Sequence, residues 1–433
     1  MKNIFNIAVV ALIGFSASSF AQDKGLELQH MDTSVRPQDD FYNYVNGSWM
    51  KTAQIPSDKS TWGSFNKLAE DTDNNSMSIL NSLLKEKFDA GTEGKKIQDL
   101  YATYMNMEKR NADGITPIKA DLSKIDAIKT VADLQKYLVA ATPNGENPFY
   151  SWGVDADMKN SKMNAIYLGD ASLGLGRDYY QKVNEKNTET LAEYTKYVAS
   201  MLQVLGYKNA DAVAKNIVNF EKSIAQTLYT NEQSRDSNLF YNPKTATELK
   251  TLSKNVNLAG YLAKLGVKYD KVIVGEINYY KNLDKFINQA NLPLIKDYMK
   301  FHLLSGSASY LSKDLDAKRF DFYGKFLRGQ QEQRAQNKRA FELINGSLGE
   351  AFGKLYVEKF FPASAKSQMV ELIDYLKKSF AQHINNLAWM SNTTKEKALN
   401  KLNKFTVKVA YPDQWKDYSK LTILSEKDGG TLY

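Results

Sequence analysis

The chain contains three histidines, and neutral imidazole is the commonest protein ligand of zinc. They are His30, His302 and His383, and no two of them lie within four residues of each other. Two imidazoles on one helix bind the same zinc ion when they lie one turn apart, as in His-Glu-x-x-His, whose glutamate activates the zinc-bound water. The 433 residues contain no such motif. Each histidine is therefore predicted to be a surface or lightly packed residue rather than a ligand.

Other catalytic patterns are incomplete. Residues 305–309 lack the second glycine of a Gly-x-Ser-x-Gly nucleophile elbow, and the absence of cysteine excludes thiol catalysis. The adjacent carboxylates of Asp39 and Asp40 could form an acid/base pair, but helix capping is the favoured interpretation. Gly174 and Gly176 belong to no complete phosphate-binding motif, so a turn leading into a helix is favoured there. We therefore predict no catalytic, substrate-binding or metal-ligating residue in this chain.

Hydrophobic periodicity predicts a mainly α fold. Apolar residues recur at three and four positions along residues 191–205, where Gly206 marks the helix end, and along residues 213–228. Residues 149–157 and 163–168 have the texture of a small β-hairpin. Another apolar series has helical spacing and is predicted to pack inward; its members are Leu372, Leu376, Phe380, Ile384 and Leu387.

Local signals predict several element boundaries. Asp39 or Asp40 caps a short helix that ends at Asn46 and Gly47, a pair suited to a left-handed stop. Thr393, followed by a glutamate three residues later, starts a helix that directs Ala398, Leu399 and Leu402 to the core. Apolar and other residues alternate along residues 405–411, which predicts a short strand. Little sequence follows to supply a second strand that would pair with it. We therefore expect residues 405–433 to be poorly ordered.

Composition excludes some classes of protein. The chain has 57 basic and 49 acidic residues, interleaved as on solvated helix faces, which argues against a nucleic-acid partner. Residues 1–21 have the basic start, apolar stretch and small-x-small end of a secretory signal, cleaved before Gln22. The apolar stretch is too short to span a bilayer, so no stable membrane anchor is expected. These features predict export to a periplasm or the medium.

Several blocks of sequence resemble the neprilysin-like zinc metallopeptidases, in the same order along most of the chain. They are residues 31–49, 174–180, 321–323, 329–330, 347–362 and 404–415. One block departs from the pattern, because relatives usually have Leu-Pro-Asp where this chain has residues 174–176. That departure leaves the rigidity of the loop open.

The resemblance implies a mainly α fold: a large helical lid-type domain with a small β-hairpin, lacking the C-terminal catalytic domain. It divides the chain into a signal peptide (1–21), a segment that in relatives packs on the catalytic domain (22–64), the helical lid around a central cavity (65–404), and a truncated return segment toward that domain (405–433). Complete relatives use zinc to cleave peptides. This chain alone is expected to hold no cofactor and to be inactive.

Thr61 is the second departure from the family pattern. Relatives place an arginine just before an aromatic-Gly-x-Phe sequence, here Trp62 to Phe65, where it binds the terminal carboxylate of a substrate. Threonine carries no positive charge, so the resemblance implies endopeptidase behaviour for a complete enzyme. Two other functions stay open: a secreted helical protein that binds peptides or glycans, suggested by the 26 tyrosines, and a glycosidase with paired carboxylates.

Overall fold

The computed structural model describes residues 27–433, so the predicted signal peptide at residues 1–21 lies outside the described residues. The chain divides into two compact units between Pro56 and Ser57. The domain boundaries that the family resemblance implied at residues 64/65 and 404/405 remain predictions.

The first unit is built around one helix, α1 (Phe41–Thr52). The predicted cap is confirmed, since the Asp40 carboxylate accepts a hydrogen bond of 2.9 Å from a backbone N–H of the first turn. The predicted stop at Asn46 and Gly47 is wrong, because both residues are helical. A Cβ at Gly47 would lie 2.8 Å from Cβ of Asp32, so the glycine permits a close approach rather than a left-handed turn.

The second unit is mainly helical, as predicted. Its helices are α2 (Ser64–Leu83), α3 (Glu93–Met105), α4 (Met107–Asp113), α5 (Lys119–Asp126), α6 (Val131–Ala141), α7 (Arg177–Gln181), α8 (Glu185–Val204), α9 (Ala210–Ala225), α10 (Ser237–Phe240), α11 (Ala246–Leu249), α12 (Leu258–Lys264), α13 (Ile277–Lys281), α14 (Leu283–Phe286), α15 (Leu292–Ser307), α16 (Lys313–Phe320), α17 (Gln336–Phe360), α18 (Ala363–Asn386) and α19 (Asn392–Asn403). A π-helical segment, Asp321–Phe326, follows α16 directly.

One small sheet interrupts the helices. Strands β1 (Trp152–Asp157) and β2 (Asn160–Leu168) form the predicted antiparallel hairpin. Two short strands that the sequence did not reveal, β3 (Pro243–Lys244) and β4 (Val272–Val274), complete the order β1-β2-β4-β3. β4 runs parallel to β2 and is buried along its whole length.

The largest core joins this sheet to the helices around α8, α9 and α15. Gly206 ends α8 as predicted: its φ is +85°, and the next N–H donates to the carbonyl of Leu202 at 3.2 Å. Six of the tyrosines in this core are at most 1% exposed: Tyr150, Tyr180, Tyr194, Tyr279, Tyr280 and Tyr298. These tyrosines pack in the core and are not available to bind a ligand. The abundance of tyrosine therefore does not favour the glycan-binding alternative.

A smaller core lies between α2, α3 and the long helix α17. Leu80, Ile344 and Leu348 are fully buried in it. Leu348 has non-helical angles (φ −123°, ψ 27°), so α17 is kinked at this residue. The kink lies beside the residues of α17 that line the cavity described below.

The inward packing predicted for α18 is wrong. No residue of α18 is buried, and Leu372, Leu376 and Phe380 are 50%, 50% and 59% exposed. The helix itself forms where the spacing predicted it. Periodicity correctly identified an apolar face, but residues 27–433 do not bury it. We call Leu372, Leu376 and Phe380 the α18 apolar face.

The last segment also differs from expectation. α19 is capped by Ser391 rather than Thr393, although Leu402 is buried as predicted. Residues 405–411 form no strand, and Ala410 has a φ of +64°, which breaks an extended conformation. Within residues 27–433, none of the helices has the length and apolar character needed to cross a membrane.

Candidate functional site

The main cavity of the second unit has a volume of about 790 Å³. Its wall is formed by residues 58–61, Asn66, the end of α15, α16, the π-helical segment and the first half of α17. Thr61 is part of this wall, so the structure places the position singled out by the sequence at a cavity. The volume lies within the range of roughly 300–1,000 Å³ typical of ligand pockets.

The π-helical segment shapes one wall of this cavity. Phe320, Tyr323 and Gly324 line the cavity from α16 and the π-helical segment. A Cβ on Gly324 would overlap the Phe320 ring, so only glycine permits this close approach. π-Helical turns inside helices occur frequently at functional sites, because the extra residue changes the direction of neighbouring side chains.

Two other glycines leave open backbone at the wall. Gly306 on α15 and Gly346 on α17 both line the cavity, and a Cβ on either would meet no atom within 4 Å. A larger side chain at these positions would therefore enter open space. The cavity is wide at these points because glycine occupies them.

Ion pairs fix the basic side chains at the start of α17 and just before it. Arg339 Nη1 lies 2.5 Å from the Asp316 carboxylate, and Arg334 contacts both Asp73 and Glu342. Lys338 binds Glu70 and holds the pKa of that carboxyl below its usual value. Asp316 is buried, so its pairing with Arg339 compensates a desolvated carboxylate.

A second cavity of about 690 Å³ shares Gly306 and Tyr310 with the first. His302, Glu146 and Tyr433 line it. Burial raises the pKa of Glu146, whose carboxylate accepts a hydrogen bond of 3.0 Å from the Tyr433 hydroxyl. The two cavities are thus neighbours at the C-terminal end of α15.

Next to the second cavity, in contact with its lining residue His302, lies the buried carboxylate of Glu221 in α9, which is 0% exposed. The Tyr180 and Tyr194 hydroxyls donate to it at 2.7 and 3.2 Å, and His302 Nε2 lies 2.8 Å from its Oε1. Burial raises the pKa of both tyrosines well above the ordinary value, so each hydroxyl keeps its proton to donate. Four groups, counting the Gly174 N–H, thus form hydrogen bonds with the buried carboxyl group.

The loop at residues 174–176 is held by hydrogen bonds on both sides. The Gly174 N–H donates to Glu221 at 3.1 Å, and the Gly174 carbonyl accepts from the Tyr323 hydroxyl at 3.0 Å. The Leu175 N–H donates to the Tyr180 hydroxyl at 3.1 Å. The loop then leads into α7, as predicted from the sequence. It is the connection between the buried Glu221 and the cavity wall at Tyr323.

The three histidines lie apart in different environments. His30 contacts Glu27 in the first unit, His302 packs between Tyr298 and Glu221, and His383 is exposed on α18. Nowhere in residues 27–433 do three or more histidine, aspartate or glutamate side chains form a group that could hold a metal ion. Nor do residues 305–309 form a nucleophile elbow, because Ser305 lies within α15 and its hydroxyl is 2.8 Å from that of Tyr197.

Sequence reasoning missed the contact between Glu221 and His302. These residues are 81 positions apart, so no local spacing relates them. One signal was present, because Glu221 falls four residues after Ile217 and three before Ile224, within the apolar stripe of α9. A carboxylate in such a stripe requires buried hydrogen-bond donors.

The geometry thus defines a helical domain with a ligand-sized cavity. Its described residues include no cluster of metal-ligating side chains. The model of peptidase family M13 matches residues 37–412. The chain therefore belongs to peptidase family M13, which confirms the resemblance to neprilysin-like metallopeptidases.

Individual relatives agree with this assignment. A neutral endopeptidase of Lactobacillus helveticus is 31% identical over 412 residues, which cover 92% of this chain and 62% of the relative. Endothelin-converting enzyme 1 of Rattus norvegicus is 28% identical over 89% of this chain and 52% of the relative. The chain thus spans less than two thirds of the length of these two relatives.

Solved structures show the same fold. The zinc metalloprotease Zmp1 of Mycobacterium tuberculosis, in complex with an inhibitor, superposes with a TM-score of 0.85 at 30% identity. The match covers 92% of this chain and 61% of that protein. PepO of Lactobacillus rhamnosis gives a TM-score of 0.81 at 25% identity, over 91% of this chain and 63% of that protein. The fold class predicted from the sequence is thereby confirmed.

Proposed function

We propose that this chain is the N-terminal helical domain of an exported M13 zinc metalloendopeptidase that acts on peptides. We further propose that these 433 residues alone neither hold the catalytic zinc nor hydrolyse peptides. The observation that carries the proposal is the cavity of about 790 Å³ in the helical unit, with Thr61 in its wall. A cavity of this size accommodates several residues of an extended peptide.

The side chains of this chain do not fit a catalytic zinc site. Such a site presents three protein ligands, commonly histidines and a carboxylate, around one open position. Of the residues that line the two cavities described above, His302 is the one histidine, and its Nε2 is already hydrogen-bonded to Glu221. Both oxygens of Glu221 accept from tyrosine hydroxyls. We therefore place the zinc ligands of the complete enzyme outside these residues.

The α18 apolar face supports the same proposal. Its three side chains are at least half exposed along successive turns of one helix, and Trp389, just beyond the helix, is 77% exposed. Contiguous apolar surfaces of this kind usually mark an interface. We propose that the catalytic part of an M13 enzyme covers it. The length of the relatives beyond the matched region supplies a candidate for that part.

Thr61 supports endopeptidase rather than carboxydipeptidase action. It is uncharged and lines the cavity in which a peptide would lie. A terminal carboxylate would find no bidentate guanidinium partner at this position. Internal cleavage does not require one.

The experiment is to purify the chain, measure bound zinc, and follow cleavage of a quenched fluorescent peptide with and without added zinc. We expect substoichiometric zinc and no turnover, with turnover appearing when an M13 catalytic domain is supplied in trans. Stoichiometric zinc with chelator-sensitive turnover by the chain alone would overturn the proposal.

Export has its own test, because the signal sequence is a separate feature. Mass spectrometry of the protein made by its native host should find Gln22 at the N-terminus, as cleavage after Ala21 predicts. An intact Met1 on protein from the cell interior would contradict export while leaving the peptidase proposal standing.

A further inference from the structure

The lining of the Thr61 cavity carries more positive than negative charge. Its basic side chains are Lys59, Arg319, Arg328, Arg334 and Arg339, and its acidic side chains are Asp58, Asp316 and Glu342. Each acid already has a basic partner in the lining: Lys59 lies 3.6 Å from Asp58, Arg339 lies 2.5 Å from Asp316, and Arg334 contacts Glu342. Arg319 and Arg328 have no acidic partner anywhere in residues 27–433 and leave the cavity with an excess of positive charge.

Arg319 is held in place although no acid binds it. Its guanidinium carbon lies 5.2 Å from the centroid of the Tyr323 ring, a cation–π contact. The Tyr323 hydroxyl donates to the Gly174 carbonyl, and its ring packs edge-on against Tyr197. Burial raises the pKa of Tyr197 to about 12, although the charge of Arg319 opposes this shift. The half-buried guanidinium is therefore preorganised on a fixed ring, with its N–H groups free of acidic partners.

Arg328 adds a second positive charge nearer to solvent. It is exposed and follows the π-helical segment, just before Gly329, whose φ of +77° ends the helix. Its side chain makes no hydrogen bond or ion pair with any other described residue. Neutral donors complete the wall, among them Ser60, Thr61 and Asn66.

We propose that Arg319, assisted by Arg328, binds a carboxylate of the peptide in this cavity. Arg319 of α16 and Arg328, two residues after the π-helical segment, thus supply the positive charge that Thr61 does not supply. A guanidinium can hold a carboxylate through two parallel hydrogen bonds, and partial burial strengthens them. The carboxylate comes from an acidic side chain or from the C-terminus, and the test distinguishes the two sources. Binding of a C-terminal carboxylate by Arg319 would contradict the endopeptidase part of the proposed function, whereas binding of an acidic side chain agrees with it. This inference rests on the proposed function, since it requires that the cavity receives a peptide.

The test measures binding of three acetylated peptides of otherwise identical sequence to the full chain by isothermal titration calorimetry. The first is amidated and contains glutamine, the second is amidated and contains glutamate in its place, and the third contains glutamine and has a free C-terminus. We expect one of the two charged peptides to bind about tenfold more tightly than the neutral one, the effect of one charge-assisted hydrogen-bonded pair. The preference should shrink as salt is added. Whichever charged peptide shows it identifies the source of the carboxylate.

Arg319→Gln should abolish this preference, and Arg328→Gln should reduce it without affecting the fold, because Arg328 is exposed. Arg319→Lys keeps the charge but loses the two-pronged geometry, so it should bind with intermediate preference. Arg235→Gln is the matched control, since Arg235 is exposed and outside the cavity lining, and it should retain the full preference. Circular dichroism melting of each variant confirms that it is folded.

The outcomes separate the two proposals. Equal affinity for all three peptides would overturn the inference alone, as would a preference that survives both Arg319→Gln and Arg328→Gln. Failure of every peptide to bind, with and without an M13 catalytic domain in trans, would overturn the proposed function and the inference with it.

Discussion

Replacing Gly174 by alanine tests how tightly the buried Glu221 and the cavity wall are connected. A Cβ at this position would overlap the hydroxyl oxygen and Cζ of Tyr194 and lie 2.9 Å from its Cε2. Tyr194 is 0% exposed and packs against Phe301 and Phe322 at ring distances of 6.1 and 5.5 Å, so it has no free space to enter. Either the loop or the tyrosine must move.

Both movements break hydrogen bonds to Glu221. Overpacking a core costs about 1–3 kcal/mol, and leaving a buried donor or acceptor without its partner costs about 1–3 kcal/mol more. We therefore expect Gly174→Ala to lower the free energy of unfolding by about 4 kcal/mol. For a unit of about 380 residues with about 2.1 cal/mol/K of unfolding entropy per residue, this corresponds to a Tm lower by about 5 °C.

Gly176→Ala is the matched control in the same loop. Its Cβ would lie 3.9 Å from the nearest atom, a ring carbon of Tyr179, and its φ of −59° suits alanine. We expect its free energy of unfolding to change by less than about 1 kcal/mol. Differential scanning calorimetry of both variants measures the contrast. If Gly174→Ala melted within a degree or so of Gly176→Ala, the overlap would be relieved without cost and the reasoning would be wrong.

Three further predictions use other parts of the second unit. Glu221→Ala should lower the free energy of unfolding by about 3–5 kcal/mol, measured by urea unfolding, because it leaves buried donors without their acceptor; a loss below about 1 kcal/mol would refute this. The pKa of Asp157 is lowered to about 2, chiefly by its hydrogen bond from Lys271, so its stabilisation is complete above the unfolded value of about 3.9 and is lost as pH falls through about 2. When the pH is lowered from about 3.9 to about 2, the Asp157→Asn variant should therefore lose less unfolding free energy than the wild type. Urea midpoints that decrease equally with pH in both proteins would contradict this prediction. Replacing Leu376 and Phe380 by serine should reduce binding of the dye ANS while changing stability by less than about 1 kcal/mol, whereas a loss of several kcal/mol would mean that α18 is buried.

Local signals predicted the helices well, because the information that sets a helix end lies within a few residues of it. The Asp40 cap and the Gly206 stop were both readable from the sequence, and both are present. Gly47 shows the limit of this reasoning. The same residue type that ends a helix with a positive φ can also admit a side chain of another segment, and only the position of Asp32 decides between them.

The α18 apolar face shows a different limit. Spacing determines which side of a helix is apolar, but it does not say which part of a protein covers that side. Helix α9, with a similar pattern, buries its face against α8 and α15, whereas α18 leaves Leu372 and Leu376 half exposed. The difference depends on what lies opposite each helix, and no local pattern contains that information.

The candidate site was predictable only in part. Thr61 was identified because a family resemblance gave its position a meaning, and the structure places it at a cavity. Arg319 and Arg328 carried no such signal, since basic residues are common throughout this sequence. What distinguishes them is that the acids around them bind other bases, and this depends on contacts across the fold.

The loop at Gly174 connects the buried Glu221 with the side chains that support Arg319 in the cavity wall. The family resemblance implies Leu-Pro-Asp at the position of residues 174–176, whereas the backbone of this chain passes the Tyr194 hydroxyl at a distance that admits no side chain. The same residue accepts the hydrogen bond that fixes Tyr323, and Tyr323 supports the guanidinium of Arg319. Because one backbone position links the buried carboxylate to the cavity wall, a change that displaces Gly174 also moves the support of Arg319. Loss of stability and loss of carboxylate preference should therefore occur together at Gly174, whereas Arg328→Gln should affect the preference alone.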